Sequence, residues 1–166
     1  MTSAPSTLPV TIPVAVVTGG ARGIGLAVVQ WFLAHGHRVA LWDIDANTLQ
    51  QTAQALNDTE RVLTLACDVS QPDQVQAATA ATVARFGRID ALVNNAGVAV
   101  FKPILETSFA EWQTVLATNL NGPFLCTQAI APVMRQTGGG AVVTSRRSRA
   151  CALARCGWPT APARPR

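Results

Sequence analysis

Two hydrophobic periods alternate along this chain. Runs rich in β-branched and other apolar residues start at Val14 and cover Arg38–Asp43, Val62–Ala66, Ile89–Val93 and Gly139–Thr144, and they read as strands. Between them apolar positions recur at helical spacing: Ile24, Val28 and Phe32, then Leu49, Ala53 and Leu56, then Val75, Thr79, Val83 and Phe86. A longer apolar helix is predicted from Ser108 to about Gln136. Ser70 with Asp73, and Ser108 with Glu111, have the spacing of capping boxes, and Pro72 suits a first helical turn. Strands alternating with helices of this length predict right-handed βαβ crossovers, hence an α/β fold around a parallel sheet.

The stretch Val14–Gly25, V-A-V-V-T-G-G-A-R-G-I-G, joins the first strand to the first helix through a glycine-dense turn. Gly19, Gly23 and Gly25 carry out three tasks between them: a turn no Cβ allows, close approach of backbone to a pyrophosphate, and packing of helix on strand. The free N–H groups of the helix start, with the positive end of the helix dipole behind them, suit a diphosphate. Asp43 ends the second strand 18 residues past Gly25, where an acid can accept both hydroxyl hydrogens of an adenosine ribose. Against a 2′-phosphate it would be repulsive by about 4 kcal/mol per charge pair at ~4 Å and an effective dielectric of ~20. Arg22 works the other way, since it could reach a 2′-phosphate. NAD is therefore the expected cofactor, with NADP the less favoured one. Read blandly, Asp43 is a turn aspartate.

The chain has 166 residues, 49% of them hydrophobic, enough for one domain with a sizeable core. Its net charge of +4 is unevenly spread. Residues 1–144 hold nine acids and seven bases, whereas residues 145–166 hold six arginines and no acid. The body reads as a mildly acidic domain over 13–145. Residues 1–12 are expected to be a disordered leader, without the charges of a secretory signal. Residues 146–166 are expected to be a disordered basic tail, with 15 of their 21 residues Arg, Ala, Pro or Gly and no apolar period. Their codon composition suits a shifted reading frame in a GC-rich gene; the functional alternative is a basic arm for polyanions. Nothing in residues 1–144 supports nucleic-acid binding. The cysteines at 67, 126, 151 and 156 form no C-x-x-C pair, so no metal site is expected, and buried thiols in a reducing cytoplasm are. Trp112–Met134 carries no charge, but its Asn, Gln, Gly and Pro residues argue for a buried interior helix over a membrane span.

T-G-G-A-R-G-I-G at 18–25, Asp43, C-D-V at 67–69, N-N-A-G at 94–97, and Trp112 with N-L-N-G-P-F at 119–124 together resemble the short-chain dehydrogenase/reductase family over about Val14–Thr144. The resemblance implies a Rossmann-type doubly wound sheet of strand order 3-2-1-4-5, incomplete on its C-terminal side. It implies that Thr18, Gly19, Arg22, Gly23, Ile24 and Gly25 hold the pyrophosphate, Asp43 the adenine ribose, and Asp68 and Val69 the adenine. Asn95, Ala96 and Gly97 would line the nicotinamide-ribose side. Asn119 matches the active-site asparagine, which breaks its helix locally and anchors a proton-relay water. The implied reaction is hydride transfer between nicotinamide and an alcohol or carbonyl of a small molecule.

The resemblance also exposes a departure. The family's acid/base is a tyrosine, with a lysine four residues later. This chain has no tyrosine, and its sole lysine is Lys102. The substrate-orienting serine has Ser145 as its nearest counterpart, out of register by a residue or more. The expectation is a cofactor-binding portion without turnover, truncated or frameshifted beyond it. The alternative is a non-catalytic NAD(H)-binding module, or a partner of a full-length relative through the long helix Ser108–Gln136; a homo-oligomer is also expected, since the fifth strand leaves an unpaired edge.

Overall fold

The structure, a computed structural model, describes residues 11–145. The readings for the leader and for 146–166 fall almost wholly outside them.

Five strands form one parallel sheet in the order β3-β2-β1-β4-β5: β1 is Val14–Thr18, β2 Arg38–Asp43, β3 Val62–Ala66, β4 Ala91–Asn94 and β5 Ala141–Thr144. Val16 sits opposite Ala40 on one side and Leu92 on the other, which places β1 at the centre. Every residue of β1 is buried, as a parallel strand covered on both faces must be. Its side chains nevertheless obey the two-residue alternation. Val14 and Val16, with Ala40 and Trp42 of β2, join the core under α3 (Pro72–Phe86) and α5 (Gly122–Gln136). Val17, Val39 and Leu41 join the core under α1 (Gly23–Ala34) and α2 (Ala46–Leu56). Helices on both faces with β1 central make this a Rossmann-type doubly wound sheet.

Local chemistry decides the helix starts, not always as the spacing suggests. The box at Ser108 forms: its hydroxyl accepts from the Glu111 amide at 3.2 Å, and Glu111 accepts from the Ser108 amide at 2.9 Å, opening α4 (Phe109–Leu116). The box expected at Ser70 does not form, because the Ser70 amide and hydroxyl both donate to Asp68 Oδ1, at 2.9 and 2.7 Å. Gln71 stands at that N-cap without a side-chain bond, and Pro72 leads the helix instead. Asp45 caps α2 by accepting from the Thr48 amide at 3.0 Å.

The long helix expected from Ser108 to Gln136 is interrupted. Between α4 and α5, Ala117–Asn121 form a π-helical turn, in which the Gly122 amide donates to the Ala117 carbonyl five residues back. The uncharged span is also less buried than expected. α4 has no buried residue, while α5 buries Cys126, Ala129, Ile130 and Met134 against the sheet and α3. Phe109, Trp112, Leu120 and Phe124 stay exposed because no described element lies over that side. No helix among the described residues is long and apolar enough to cross a membrane.

Candidate functional site

The carboxyl ends of β1, β2 and β4 open onto a cavity of about 340 Å³. Gly19, Arg22, Gly23, Ile24 and Gly25 form its first wall, from the turn after β1. Gly19 has φ +62°, and a Cβ there would come within 2.9 Å of Ala96 Cα. At Gly25 a Cβ would sit 2.0 Å from the Gly19 carbonyl oxygen, so the helix can approach the turn only because that position is bare. The amino end of α1 has no side-chain cap and no acid in its first turn. Its amides and dipole are thereby left to whatever enters the cavity.

Asp43 stands at the second wall, 9% exposed. Its Oδ2 accepts from the Ala21 amide and its Oδ1 from the Asp45 amide, each at 3.2 Å. These two bonds tie the end of β2 to the glycine turn and fix the carboxylate in place. Each oxygen keeps a lone pair for a further donor. Arg22 lies on the exposed rim, where its charge helps hold the Asp45 carboxyl below the ordinary aspartate range, after the bonds from Thr48. Asp68 and Val69, with Cys67 and Ile44, continue this side. Burial, then the Asp68 charge, pushes the Cys67 thiol up to about 11, and burial pushes Cys126 up to about 12, so neither is a nucleophile near neutrality.

The third wall is the loop after β4. Thr18 does not line the cavity, but its buried hydroxyl accepts from the Asn95 and Ala96 amides, both at 3.0 Å. Asn95 Nδ2 returns bonds to the Thr18 and Gly19 carbonyls at 3.1 Å. Asn95, Ala96, Gly97 and Val98 are thus held against the glycine turn. Asn119 also stands behind the lining: its Oδ1 accepts from the Val98 amide and its Nδ2 donates to the Val98 carbonyl, both at 2.9 Å. Its neighbour Thr118 reaches the cavity itself.

The cavity therefore gathers Gly19, Arg22, Gly23, Ile24, Gly25, Asp43, Asp68, Val69, Asn95, Ala96 and Gly97. Ser145 lies apart from the lining, exposed, its amide donating to the Asn94 carbonyl at 2.9 Å. Ile44, Val98 and Thr118 are lining residues outside the motifs. Each is a chain neighbour of a motif residue. Lys102 is engaged elsewhere, paired with Glu111 at the start of α4. Among the described residues no group of His, Cys, Asp or Glu could hold a metal ion.

Comparison with known proteins supplies the rest. The family model described as short chain dehydrogenase matches residues 13–157. D-threitol dehydrogenase of Mycolicibacterium smegmatis is 45% identical over 131 residues, covering 78% of this chain and 50% of the relative. 2-(R)-hydroxypropyl-CoM dehydrogenase of Xanthobacter autotrophicus is 42% identical over 135 residues, covering 78% and 54%. A solved short-chain dehydrogenase from Novosphingobium aromaticivorans superposes with a TM-score of 0.75 at 33% identity, covering 80% of this chain and 52% of that one. The chain thus spans about half the length of the relatives it matches. With a family match over most of its residues, and the sheet order and glycine turn that go with it, the chain belongs to the short-chain dehydrogenase family.

Proposed function

We propose that this chain binds NAD(H) in the cavity above β1, and that it does so without turning over substrate by itself. Members of the family bind nicotinamide dinucleotides, and the residues present fit one. Gly19 and Gly25 let the turn close against Ala96 and α1 close against the turn, the first-turn amides of α1 are uncapped, and a fixed carboxylate stands at the end of β2. When bound, the cofactor supplies a nicotinamide ring that can give or take a hydride. Gly19, Arg22, Gly23, Ile24 and Gly25 would hold the pyrophosphate, with Thr18 behind them fixing the Asn95 loop; Asp43 would hold the adenine ribose, Asp68 and Val69 the adenine, and Asn95–Gly97 the nicotinamide ribose.

The observation that carries the preference for the unphosphorylated cofactor is the Asp43 carboxylate, pinned by two main-chain amides. Its two bonds hold it at the end of β2, where its charge would oppose a 2′-phosphate. The absence of tyrosine from the sequence supports the lack of turnover: the family's acid/base has no counterpart, and Lys102 is held by Glu111. Loss of a general acid/base alone typically costs about 10²–10⁴ in rate. In the intact family the substrate would be a small alcohol or carbonyl compound. Two buried thiols, Cys67 and Cys126, support a cytoplasmic, reducing location.

The test is a pair of fluorescence titrations of the full chain with NADH and NADPH, beside an NAD(H)-linked assay over alcohols and ketones. Saturable NADH binding, weaker NADPH binding and no turnover are expected. No NADH saturation up to millimolar concentration would overturn the binding, and turnover by this chain would overturn the rest.

A further inference from the structure

The π-helical turn Ala117–Asn121 touches both sides of the cavity. Asn119 grips Val98 by its amide and its carbonyl, at 2.9 Å each, on the side of the β4 loop. Gly122, the residue that closes the turn, lies under Val69 on the opposite side. A Cβ at Gly122 would stand 2.8 Å from Val69 Cγ2 and 3.3 Å from Val69 Cβ. Val69 is 5% exposed, packed in the main core and facing the cavity, so it has little room to retreat except into the cavity. Thr118, next to Asn119 in the chain, forms part of the lining. The five-residue step moves the chain by one residue relative to a regular helix. That extra residue allows Asn119 and Gly122 to meet two separate walls from one turn.

We propose that this turn is a spacer that sets the distance between the Val69 and Val98 walls, with Gly122 a positioning residue for the adenine side of the cofactor and Asn119 one for the nicotinamide-ribose side. The inference rests on the dinucleotide reading above. Asn119 acts through the Val98 main chain and Gly122 through the absence of a side chain. Neither needs to touch the cofactor. An added methyl at position 122 pushes Val69 toward the adenine, whereas loss of the Asn119 amide lets the Val98 segment drift outward.

The experiment is a double-substitution cycle read by NADH fluorescence titration of the full chain, with thermal melts as the fold control. In the Val69 background Gly122→Ala is expected to weaken NADH binding by about tenfold, the scale of one methylene's misfit in a pocket. In the Val69→Ala background the same change is expected to cost less than about twofold, because the partner methyls are gone. Asn119→Ala is expected to weaken NADH binding in either background. If Gly122→Ala alone fails to fold while the pair with Val69→Ala folds and binds, the close contact is equally supported. Equal cost in both backgrounds, no cost in either, or failure of both variants to fold overturns the spacer. An unaltered chain that does not bind NADH overturns the dinucleotide reading, and the spacer with it.

Discussion

Thr18 and Asn95 clasp each other reciprocally: the Thr18 hydroxyl accepts from the Asn95 amide at 3.0 Å, and the Asn95 side-chain amide donates to the Thr18 carbonyl at 3.1 Å. The pair joins the ends of β1 and β4, two strands that are neighbours in the sheet but far apart in sequence. Thr18→Val keeps the shape and leaves the amides of Asn95 and Ala96 without their acceptor. We expect a loss of about 1–3 kcal/mol of stability, read by denaturant unfolding. Thr18→Ser should recover most of it.

Asp43 makes a separate prediction about selectivity. Asp43→Ser removes the charge and the acceptor for the ribose hydroxyls. Losing hydrogen bonds to a charged group is expected to weaken NADH binding by about ten- to a hundredfold. NADPH, no longer repelled, should lose far less and could gain. Parallel titrations with the two cofactors check this, and an unchanged NADH-to-NADPH ratio would contradict it.

Acid sensitivity should be traceable to the start of α4. The ion pair with Lys102, then the Ser108 amide and hydroxyl, hold the Glu111 carboxyl down at about 2, against an ordinary 4.5. The folded state thus favours the ionised form. The stabilisation is present above pH 4.5 and is lost as the pH falls from there toward 2. Glu111→Gln should melt below the unaltered chain at neutral pH, and the gap should close across that window. Melting curves of the two proteins as a function of pH read it directly.

The exposed side of α4 and α5 predicts association. Leu120 and Phe124 are 63% and 62% exposed, with Phe109 and Trp112 nearby in sequence on the same uncovered stretch. Apolar patches of this kind are seldom left in water. Light scattering coupled to size exclusion should show species larger than a monomer. Leu120→Glu with Phe124→Glu should shift the chain toward monomer without abolishing NADH binding.

The parts that follow a local rule were legible in the sequence. β2 and β3 fall on the residues their apolar runs mark, and α3 begins at its proline. The glycine turn could be placed because a continuous β-branched run before it gives way to apolar residues every fourth position after it. What escaped depends on competition or on three-dimensional proximity. Ser70 had the spacing to cap α3, but Asp68 is nearer and takes both its donors. The π turn leaves no mark on apolar spacing, since one extra residue only rotates the face. Only the resemblance through Asn119 anticipated a break there. The exposure of Phe109 and Trp112 could not be read from a charge-free run, because a hydrophobic stretch says what a helix can bury and not what is present to bury it. Ile44, Val98 and Thr118 enter the cavity by position in the fold, not by type.

The last strand to join the sheet leaves a gradient across it. All four residues of β5 are exposed, Val142 and Val143 by 43% and 56%, and among the described residues β4 alone pairs with it, while β1 is buried along its whole length between two partners. Opening β5 therefore exposes little new surface, whereas opening β1 amounts to unfolding the domain. Hydrogen exchange should run in that order, with the Val142 and Val143 amides trading their protons in brief local frays. Those of Val16 and Val17 should exchange only when the whole chain comes apart.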